Sequence, residues 1–342
     1  MRVAMYYSNK DVRVEEAKKP EIGKGEILVR VIASGLCGTD VMEWYRIKKA
    51  PLVLGHEIAG EVAAVGEEVR DFKVGDRVSA SHHVPCNTCH YCLRGHHTVC
   101  DTLRETKFFP GGFSEFVRVP SIHVDRGVYA LPDNISYEEA TFIEPLACIV
   151  RGQRAAGARP GDTVCVLGSG ISGLLHVKLA KAKGASAVVA TDVVDYRLRF
   201  ALASGADRAL PGGADVAAEL RAVTGGRLAD IVIVCTGAKD ANTAALSYVE
   251  RGGTVLFFAS GKEDIEVAAS INDLFWRNEI TLTSSYAGSP DDHREALALI
   301  ADGTVKVRDL ITHRVCLKDA AIGFQLVAQA QDSIKVIIEP QK

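Results

Sequence analysis

Residues 81–100, SHHVPCNTCHYCLRGHHTVC, concentrate four cysteines and five histidines in one short stretch. The spacing C-x2-C-x2-C-x7-C joins the four cysteines, Cys86, Cys89, Cys92 and Cys100. Gaps this short let sulfurs converge on one tetrahedral ion, and four thiolates leave no position for water or substrate, so we predict a structural zinc site. An iron–sulfur cluster or free thiols are the alternatives that this spacing leaves open. We interpret the neighbouring histidines as solvated loop residues: His82, His83, His90, His96 and His97.

A second set of metal-binding residue types is spread over three segments. Cys37 lies in GLCGTD, His56 and Glu57 lie in LGHEIAG, and Glu144 lies in FIEPLAC. A sulfur, an imidazole and a carboxylate do not complete the shell of Zn²⁺, so water or an alkoxide takes the open position that catalysis requires. Alone, a cysteine is typical of a core and a His-Glu pair of a surface or cap. Together, these four residues predict a catalytic zinc site.

A glycine-rich turn lies near the middle of the chain. VCVLGSGISGLLHVKLAKAKGASAVVATD reads as a strand, a G-x-G-x-x-G turn, a helix and a second strand that ends in an acid. This order is typical of a dinucleotide site, because the pyrophosphate binds at the helix N-terminus and the acid binds the ribose hydroxyls. The acid repels a 2′-phosphate, so we predict NAD over NADP, a preference that Arg197 and Arg199 can relax. The predicted cofactor residues are Gly168, Gly170, Ile171, Gly173, Asp192, Arg197 and Thr236.

The elements that carry these motifs divide the chain into three regions. Residues 1–150 read as short strands cut by glycine and proline, which is typical of a β-rich domain with much loop. Residues 151–285 alternate apolar strands with alanine-rich helices, which indicates βαβ units and a parallel sheet. Residues 286–342 contain two helical stretches and a final strand-like SIKVIIE, and we expect this segment to return to the first domain.

The composition is that of an ordinary globular enzyme. The net charge of -3, with 24% charged residues, gives no electrostatic reason to bind nucleic acid or an anionic membrane. The N-terminal MRVAMYYSNKDVRV carries charges where a signal peptide needs an apolar run. Nine cysteines, an odd number, favour reduced thiols over a disulfide framework. We therefore expect a cytoplasmic protein, with Cys148, Cys165, Cys235 and Cys316 in the core.

Taken together, the motifs resemble the zinc-containing medium-chain dehydrogenases, especially the sorbitol and threonine dehydrogenase branch. The resemblance spans nearly the whole chain and rests on CGTD, GHEIAGEV, GDRV, the four-cysteine lobe, GGFSEFV, EPLAC and GSGISG. It implies an α/β protein with a GroES-like, β-rich catalytic domain, a Rossmann domain with a doubly wound parallel sheet, and an active site in the cleft between them. It also implies a homodimer or homotetramer, for which we expect GTVLFFAS and the segment after it to supply an edge strand.

The resemblance further implies roles for single residues. Cys37, His56 and a carboxylate hold the catalytic zinc; Glu57 is commonly a ligand in this branch, and Glu144 can alternate with water. Thr39 matches the hydroxyl that passes the alcohol proton outward, although a threonine there can simply end a strand. The zinc lowers the pKa of the substrate hydroxyl, and a hydride passes from the carbinol carbon to the nicotinamide.

Two features depart from the family pattern. Many relatives carry a relay histidine five positions after the zinc cysteine, where this chain has Met42. The proton must then leave through ribose and water or through one of the two site glutamates, or leave more slowly. The segment between the zinc cysteine and the histidine, residues 38–55, is also shorter than expected for threonine or animal sorbitol dehydrogenases. Trp44 and Tyr45 within it either line the substrate pocket or pack against the structural lobe.

These expectations combine into one function. We expect a zinc-dependent enzyme that transfers a hydride from a secondary hydroxyl of a polyol, sugar alcohol or related small alcohol to NAD and yields the ketone. Oxidation of L-threonine at its β-hydroxyl and broad-range oxidation of secondary alcohols are the enzymatic alternatives. The remaining alternative is a non-catalytic nucleotide-binding or structural protein. The presence of Cys37, His56 and Glu57 together argues against this alternative, because such a protein needs no open metal site.

Overall fold

The computed structural model describes residues 1–261 and 265–342. Its strands are β1 (Arg2–Ser8), β2 (Asp11–Glu16), β3 (Ile27–Leu36), β4 (Leu52–Val53), β5 (Glu57–Val65), β6 (Arg77–Ala80), β7 (Phe116–Val119), β8 (Val128–Ala130), β9 (Thr163–Leu167), β10 (Ala187–Asp192), β11 (Arg208–Pro211), β12 (Ala229–Val234), β13 (Val249–Phe257), β14 (Thr281–Ser284), β15 (Ile311–Cys316) and β16 (Lys335–Glu339). Its α-helices are α1 (Glu43–Arg46), α2 (His90–Leu93), α3 (Asp101–Glu105), α4 (Ser121–Arg126), α5 (Tyr137–Ala140), α6 (Ile143–Ala155), α7 (Ile171–Ala182), α8 (Asp195–Ala203), α9 (Val216–Thr224), α10 (Lys239–Ala244), α11 (Pro290–Ala301) and α12 (Ala320–Gln329).

The chain forms two compact units. The first consists of Met1–Ala147 and Gly288–Lys342, and the second of Cys148–Ala287. The chain thus leaves the first unit within α6 and re-enters it just before α11. Among the described residues, no helix has the length and apolar character needed to span a bilayer.

The first unit contains two sheets. β2, β1 and β4 form a small sheet, and the larger one has the order β15-β16-β3-β5-β6-β8, with β7 also paired to β3. β3 is the hub of the larger sheet: its first half pairs with β7, its last three residues pair with the C-terminal strand β16, and its other edge pairs antiparallel with β5. Residues from both ends of the chain therefore meet at the end of β3.

The second unit is one parallel sheet flanked by helices. Its strand order is β11-β10-β9-β12-β13-β14, which is the 3-2-1-4-5-6 order of a doubly wound dinucleotide-binding sheet. Every residue of β9 is buried, as expected for a strand covered on both faces. β13, which contains most of GTVLFFAS, pairs with both β12 and β14, so the sheet edge is supplied by β14, in the segment after it.

Candidate active site

The four predicted structural ligands come together in a lobe formed by residues 82–104. The sulfurs of Cys86 and Cys100 are 3.6 Å apart, those of Cys89 and Cys92 are 3.6 Å apart, and those of Cys86 and Cys92 are 4.0 Å apart. A tetrahedron of Zn–S bonds of about 2.3 Å separates its sulfurs by about 3.8 Å. The lobe therefore fits one four-coordinate ion, whereas a cluster of several irons would hold sulfurs farther apart.

The backbone of the lobe supports thiolate ligands. The amide of Thr88, together with that of Cys89, donates to the Cys86 sulfur and lowers the pKa of Cys86 to about 5. Burial instead raises the pKa of Cys92 to about 12, an effect that a coordinated metal ion would reverse. Arg126 of α4 donates to the carbonyls of Pro85 (3.2 Å) and Cys86 (2.8 Å) and so ties the lobe to the rest of the unit.

The second predicted site also assembles. One ligand atom each from Cys37, His56 and Glu57 lies within 4.8 Å of the others. The pairing of β3 with β5 explains this convergence: Gly35 is opposite Glu57, so Cys37 beyond the end of β3 meets His56 before the start of β5. The donor set of one sulfur, one imidazole nitrogen and one carboxylate oxygen suits Zn²⁺ and leaves a coordination position open.

Asp40 orients the histidine of this group. Its buried carboxylate accepts a hydrogen bond from the Cys37 amide (3.1 Å), and its other oxygen lies 3.4 Å from Nδ1 of His56. Burial opposes protonation of the ring, but Asp40 and the Cys37 sulfur outweigh it and hold the pKa of His56 well above its usual value. Asp40 thus leaves Nε2 of His56 for a metal ion, which would take the place of the proton. Sequence reasoning missed this residue, although it stands in the CGTD motif.

A buried lysine from the far end of the chain reaches the same group. Lys335, the first residue of β16, forms an ion pair with Glu57, and both side chains are almost completely buried. Gly35 leaves room for the pair, because a Cβ there would displace the Glu57 carboxylate and lie 2.8 Å from Cε of Lys335. Glu57 is therefore shared between the ligand group and a fixed cation. The signal in the sequence was a lysine inside the apolar run of SIKVIIE, since a charge in a buried strand needs a partner.

Thr39 lies beside the ligand group in a single 3₁₀ turn, Gly38–Val41, that Cys37 caps. Its hydroxyl is 3.3 Å from the Cys37 sulfur, which places a polar hydrogen next to the proposed ligand. Arg46 at the end of α1 donates to the Thr39 carbonyl (2.9 Å) and to the Thr39 hydroxyl (3.4 Å). Sequence reasoning did not single out Arg46.

Two other predictions about this site stay undecided. Glu144 lies in the first turn of α6 and is not part of the three-residue group, so its role as a further ligand stays a prediction. Trp44 and Tyr45 are 37% and 41% exposed, and the Tyr45 ring contacts Lys49 of its own segment, so neither interpretation of this aromatic pair is decided.

The interpretation of the histidines as solvated is wrong for His82 and His83. Both follow β6 and are half-buried: the His82 ring packs edge-on against Phe108, and Nδ1 of His83 is 2.7 Å from the Thr106 carbonyl. Burial lowers the pKa of His82 well below its usual value and that of His83 to about 4, so both rings are neutral near pH 7. The His82 ring centre is 6.1 Å from that of His56.

The predicted nucleotide turn has the expected local geometry. Gly168 directly follows β9 and has a φ of +96°, which residues with a side chain rarely adopt, and Gly170 precedes the first residue of α7, Ile171. A Cβ at Gly173 would collide with the Gly168 carbonyl, so only glycine lets helix and turn approach this closely. Thr236 follows β12, and its Cβ would lie 3.2 Å from a Cβ at Gly168. The turn and the N-terminus of α7 form a surface that suits a pyrophosphate.

Asp192 at the end of β10 is already engaged by the turn. It accepts hydrogen bonds from the amides of Ser169 (2.8 Å) and Val194 (2.9 Å). The Arg197 guanidinium lies 3.8 Å from the same carboxylate, whereas Arg199 is exposed and contacts the ring of Tyr196. An acid that accepts ribose hydroxyls and a cation beside it are therefore both present where the adenosine half of a dinucleotide would bind.

The remaining cysteines follow the prediction only in part. Cys165 of β9 is completely buried, in the core of the second unit. Cys148, Cys235 and Cys316 are only half-buried, so the apolar runs in which they stand do not place them all in a core.

The arrangement assigns distinct tasks to the chain's own residues. The ligand group could bind one zinc ion, which when present would polarise a substrate hydroxyl and lower its pKa. Thr39 offers that hydroxyl a hydrogen-bond partner, and Asp40 fixes the imidazole. In the second unit, the turn and Asp192 could bind a dinucleotide, which supplies the hydride chemistry. These are the parts of an alcohol dehydrogenase.

Models of known families match both halves of the chain. Residues 23–133 match the alcohol dehydrogenase GroES-like domain, and residues 172–302 match the zinc-binding dehydrogenase domain. The chain belongs to the zinc-containing medium-chain alcohol dehydrogenase family, and it is an oxidoreductase. This confirms the predicted fold class, a GroES-like domain with a Rossmann domain.

Individual relatives place the chain in the sorbitol dehydrogenase-like branch. It is 29% identical to the sorbitol dehydrogenase of Bacillus subtilis, with 100% of this chain and 98% of the relative aligned. It is 30% identical to the D-xylulose reductase of Saccharomyces cerevisiae, with 92% and 90% aligned. Among solved structures, the alcohol dehydrogenase of Thermus sp. ATN1 superposes with a TM-score of 0.88 at 28% identity, covering 99% of both chains.

Proposed function

We propose that this protein is an NAD-dependent polyol dehydrogenase, which oxidises a secondary hydroxyl of a polyol, sugar alcohol or related small alcohol to the ketone. The observation that carries the proposal is the open ligand group of Cys37, His56 and Glu57, with the Thr39 hydroxyl 3.3 Å from the Cys37 sulfur. A group with a free coordination position suits an alcohol oxygen, and a hydroxyl beside it suits the alcohol proton.

The proposal includes two zinc ions per chain. The lobe of Cys86, Cys89, Cys92 and Cys100 holds the structural one, and the open group holds the catalytic one, with Glu144 or water completing its shell. Metal analysis of the purified protein tests this: we expect two zinc ions per chain and no visible iron–sulfur absorption. A brown protein with iron in the lobe would contradict it.

The support for a polyol comes from the relatives. One acts on sorbitol by its name and another on D-xylulose, and both align with this chain over nine-tenths of its length or more. The test is NAD reduction by the zinc-loaded protein over a panel of sorbitol, xylitol, L-threonine, 2,3-butanediol and simple secondary alcohols. We expect the highest kcat/KM with a polyol. A preference for threonine would instead require partners for its carboxylate and ammonium groups and would overturn the assignment.

The cofactor assignment is NAD. Asp192 supports it, because a carboxylate at the end of the second strand binds the ribose hydroxyls and repels a 2′-phosphate. Arg197, 3.8 Å from that carboxylate, weakens the repulsion, so we expect measurable turnover with NADP as well. The comparison of kcat/KM for the two cofactors tests this, and a clear preference for NADP would overturn it.

We further infer a cytoplasmic homodimer or homotetramer. Among the described residues, β14 is one of the two edge strands of the six-stranded sheet, and an edge strand can pair with its symmetry mate across a two-fold axis. The nine cysteines, all free, suit a reducing compartment. Light scattering tests the assembly: we expect the mass of two or four chains, and a monomeric mass would refute it.

A further inference from the structure

The Arg46 guanidinium contacts two side chains that lie beside metal-ligand candidates, those of Thr39 and Asp40. Nη2 of Arg46 is 3.4 Å from the Thr39 hydroxyl, which in turn is 3.3 Å from the Cys37 sulfur. The same Nη2 is 3.7 Å from Oδ1 of Asp40, the oxygen that lies 3.4 Å from Nδ1 of His56. Arg46 is thereby connected to Cys37 through Thr39 and to His56 through Asp40.

The segment that carries Arg46 is anchored from outside. The amide of Asn9 donates to the Glu43 carboxylate (2.9 Å), and the Asn9 side chain donates to the Val41 carbonyl (2.8 Å). The Arg46 amide donates to the Met42 carbonyl (3.0 Å), which closes the single turn of α1. These bonds fix the start of the side chain, and only 16% of it is exposed.

Arg46 does more than cap the 3₁₀ turn. A capping role needs only the bond from Nε to the Thr39 carbonyl, which is 2.9 Å long. The two further contacts of Nη2 go to the hydroxyl and to the carboxylate that touch the ligand group. Asp40 is completely buried, and among the described residues Arg46 is the arginine or lysine within 4 Å of its carboxylate, which also faces the His56 ring.

We propose that Arg46 is a positioning residue for the reaction, which holds the Thr39 hydroxyl and the Asp40 carboxylate in the orientation that the metal ligands require. This inference rests on the proposed alcohol oxidation at that site. Arginine stays protonated and has no acceptor, so it cannot serve as the relay histidine that Met42 replaces. Because Arg46 donates to the Thr39 oxygen, the proton of that hydroxyl points away from Arg46, towards the Cys37 sulfur or a substrate oxygen. The alcohol proton therefore leaves by a route that does not pass through Arg46.

The first test compares Arg46→Ala with Arg46→Lys and with Lys48→Ala, an exposed cation of the same segment. Outer partners of metal ligands contribute about 10- to 100-fold to activity. We expect Arg46→Ala to lose kcat by about that factor on the best polyol of the panel with little change in KM, and Arg46→Lys and added guanidinium ion each to restore part of it. Lys48→Ala should match the wild type. A loss in Arg46→Ala no larger than that in Lys48→Ala would overturn the proposal.

A double-mutant cycle with Thr39→Val distinguishes a positioning role of Arg46 from a general disturbance of the local structure. If Arg46 acts through Thr39, its removal costs much less in the Thr39→Val background than in the wild type. Additive losses would overturn the proposal. So would a loss confined to anionic substrates with neutral polyols unaffected, because Arg46 would then be a substrate clamp.

Cobalt substitution tests the role of Arg46 without a measurement of turnover. With cobalt exchanged into the open group alone and zinc left in the four-cysteine lobe, the cobalt–thiolate band reports the surroundings of Cys37, and we expect it to shift in Arg46→Ala but not in Lys48→Ala. An unshifted band in Arg46→Ala would overturn the inference. A wild type that oxidises no alcohol of the panel would instead contradict the proposed function and leave the cobalt comparison valid.

Discussion

The two candidate metal sites of the first unit are built in opposite ways. In the four-cysteine lobe, all ligands lie within 15 consecutive residues, and the bonds to the sulfurs come from backbone amides and neighbouring sulfurs. In the open group, the ligands come from the ends of two strands. Their side-chain partners are Thr39, Asp40 and Lys335, and Arg46 contacts the first two of these. Lys335 stands 278 residues beyond Glu57.

This difference follows from what each site has to do. A closed site needs only four sulfurs at tetrahedral spacing, which a short loop can supply. An open site has to keep a position vacant and still hold its ligands, so the restraint comes from surrounding charged groups that the whole fold positions. We therefore expect the lobe to depend on a bound metal ion for order and the open group to depend on the rest of the unit.

The largest effect on activity is expected when one ligand is removed from the open group. Cys37→Ser should lower turnover by at least ~10⁴-fold, because the substrate hydroxyl loses the ion that lowers its pKa by several units. Zinc content should fall from two ions to one, and NAD binding and the far-ultraviolet circular dichroism should stay as in the wild type. Retention of full activity would mean that the zinc assignment at this site is wrong.

The matching change in the lobe should affect stability instead. A structural zinc ion contributes about 10–16 kcal/mol in small zinc peptides, so losing one of four ligands should lower the free energy of unfolding by several kcal/mol. We expect Cys100→Ser to lose one zinc ion and to unfold at lower urea, with unchanged turnover per remaining zinc ion at low temperature. A variant as stable as the wild type would show that the lobe needs no metal.

The two sites were predictable from the sequence to different extents. The lobe was predictable in full, because its ligands are close in the chain and their spacing alone sets the geometry. For the open group, the ligands Cys37, His56 and Glu57 were predictable from motifs, but the residues around them were not: Asp40, Arg46 and Lys335. The contacts of Arg46 depend on how the short turn of α1 folds back towards Thr39. The contact of Lys335 with Glu57 depends on the pairing of β16 with β3, which are far apart in the sequence.

The same limit explains the misjudged histidines. His82 stands in a stretch rich in polar and turn-forming residues, so composition suggested a solvated loop. Its partial burial follows from its contact with Phe108, which lies in the apolar core that residues of β3, β5, β6 and β7 form. The Rossmann turn was predictable for the opposite reason, since strand, glycines, helix and acid are consecutive.

Breaking the long-range support of the open group should cost less than losing the structural zinc. Lys335→Met leaves the Glu57 carboxylate buried without its cation, and breaking a buried pair costs about 3–5 kcal/mol. Urea unfolding should show this loss, and adding Glu57→Gln should recover part of it because no charge is then left unpaired. Lys342→Met, at an exposed ion pair near the same terminus, is the control and should unfold like the wild type. Equal midpoints for Lys335→Met and Lys342→Met would show that the pair is not formed.

The smallest expected effect concerns the attachment of the lobe. Arg126 is three-quarters buried and donates to two carbonyls at the start of the lobe, one of them that of a ligand, Cys86. Arg126→Met should cost ~1.5 kcal/mol, the lower end for hydrogen bonds that involve a charged group, because the side chain is partly solvated. Chelator competition should then remove the structural zinc faster while kcat stays unchanged. A lower kcat with unchanged zinc release would show that the two sites are coupled, and the division between a locally built lobe and a fold-dependent open group would have to be abandoned.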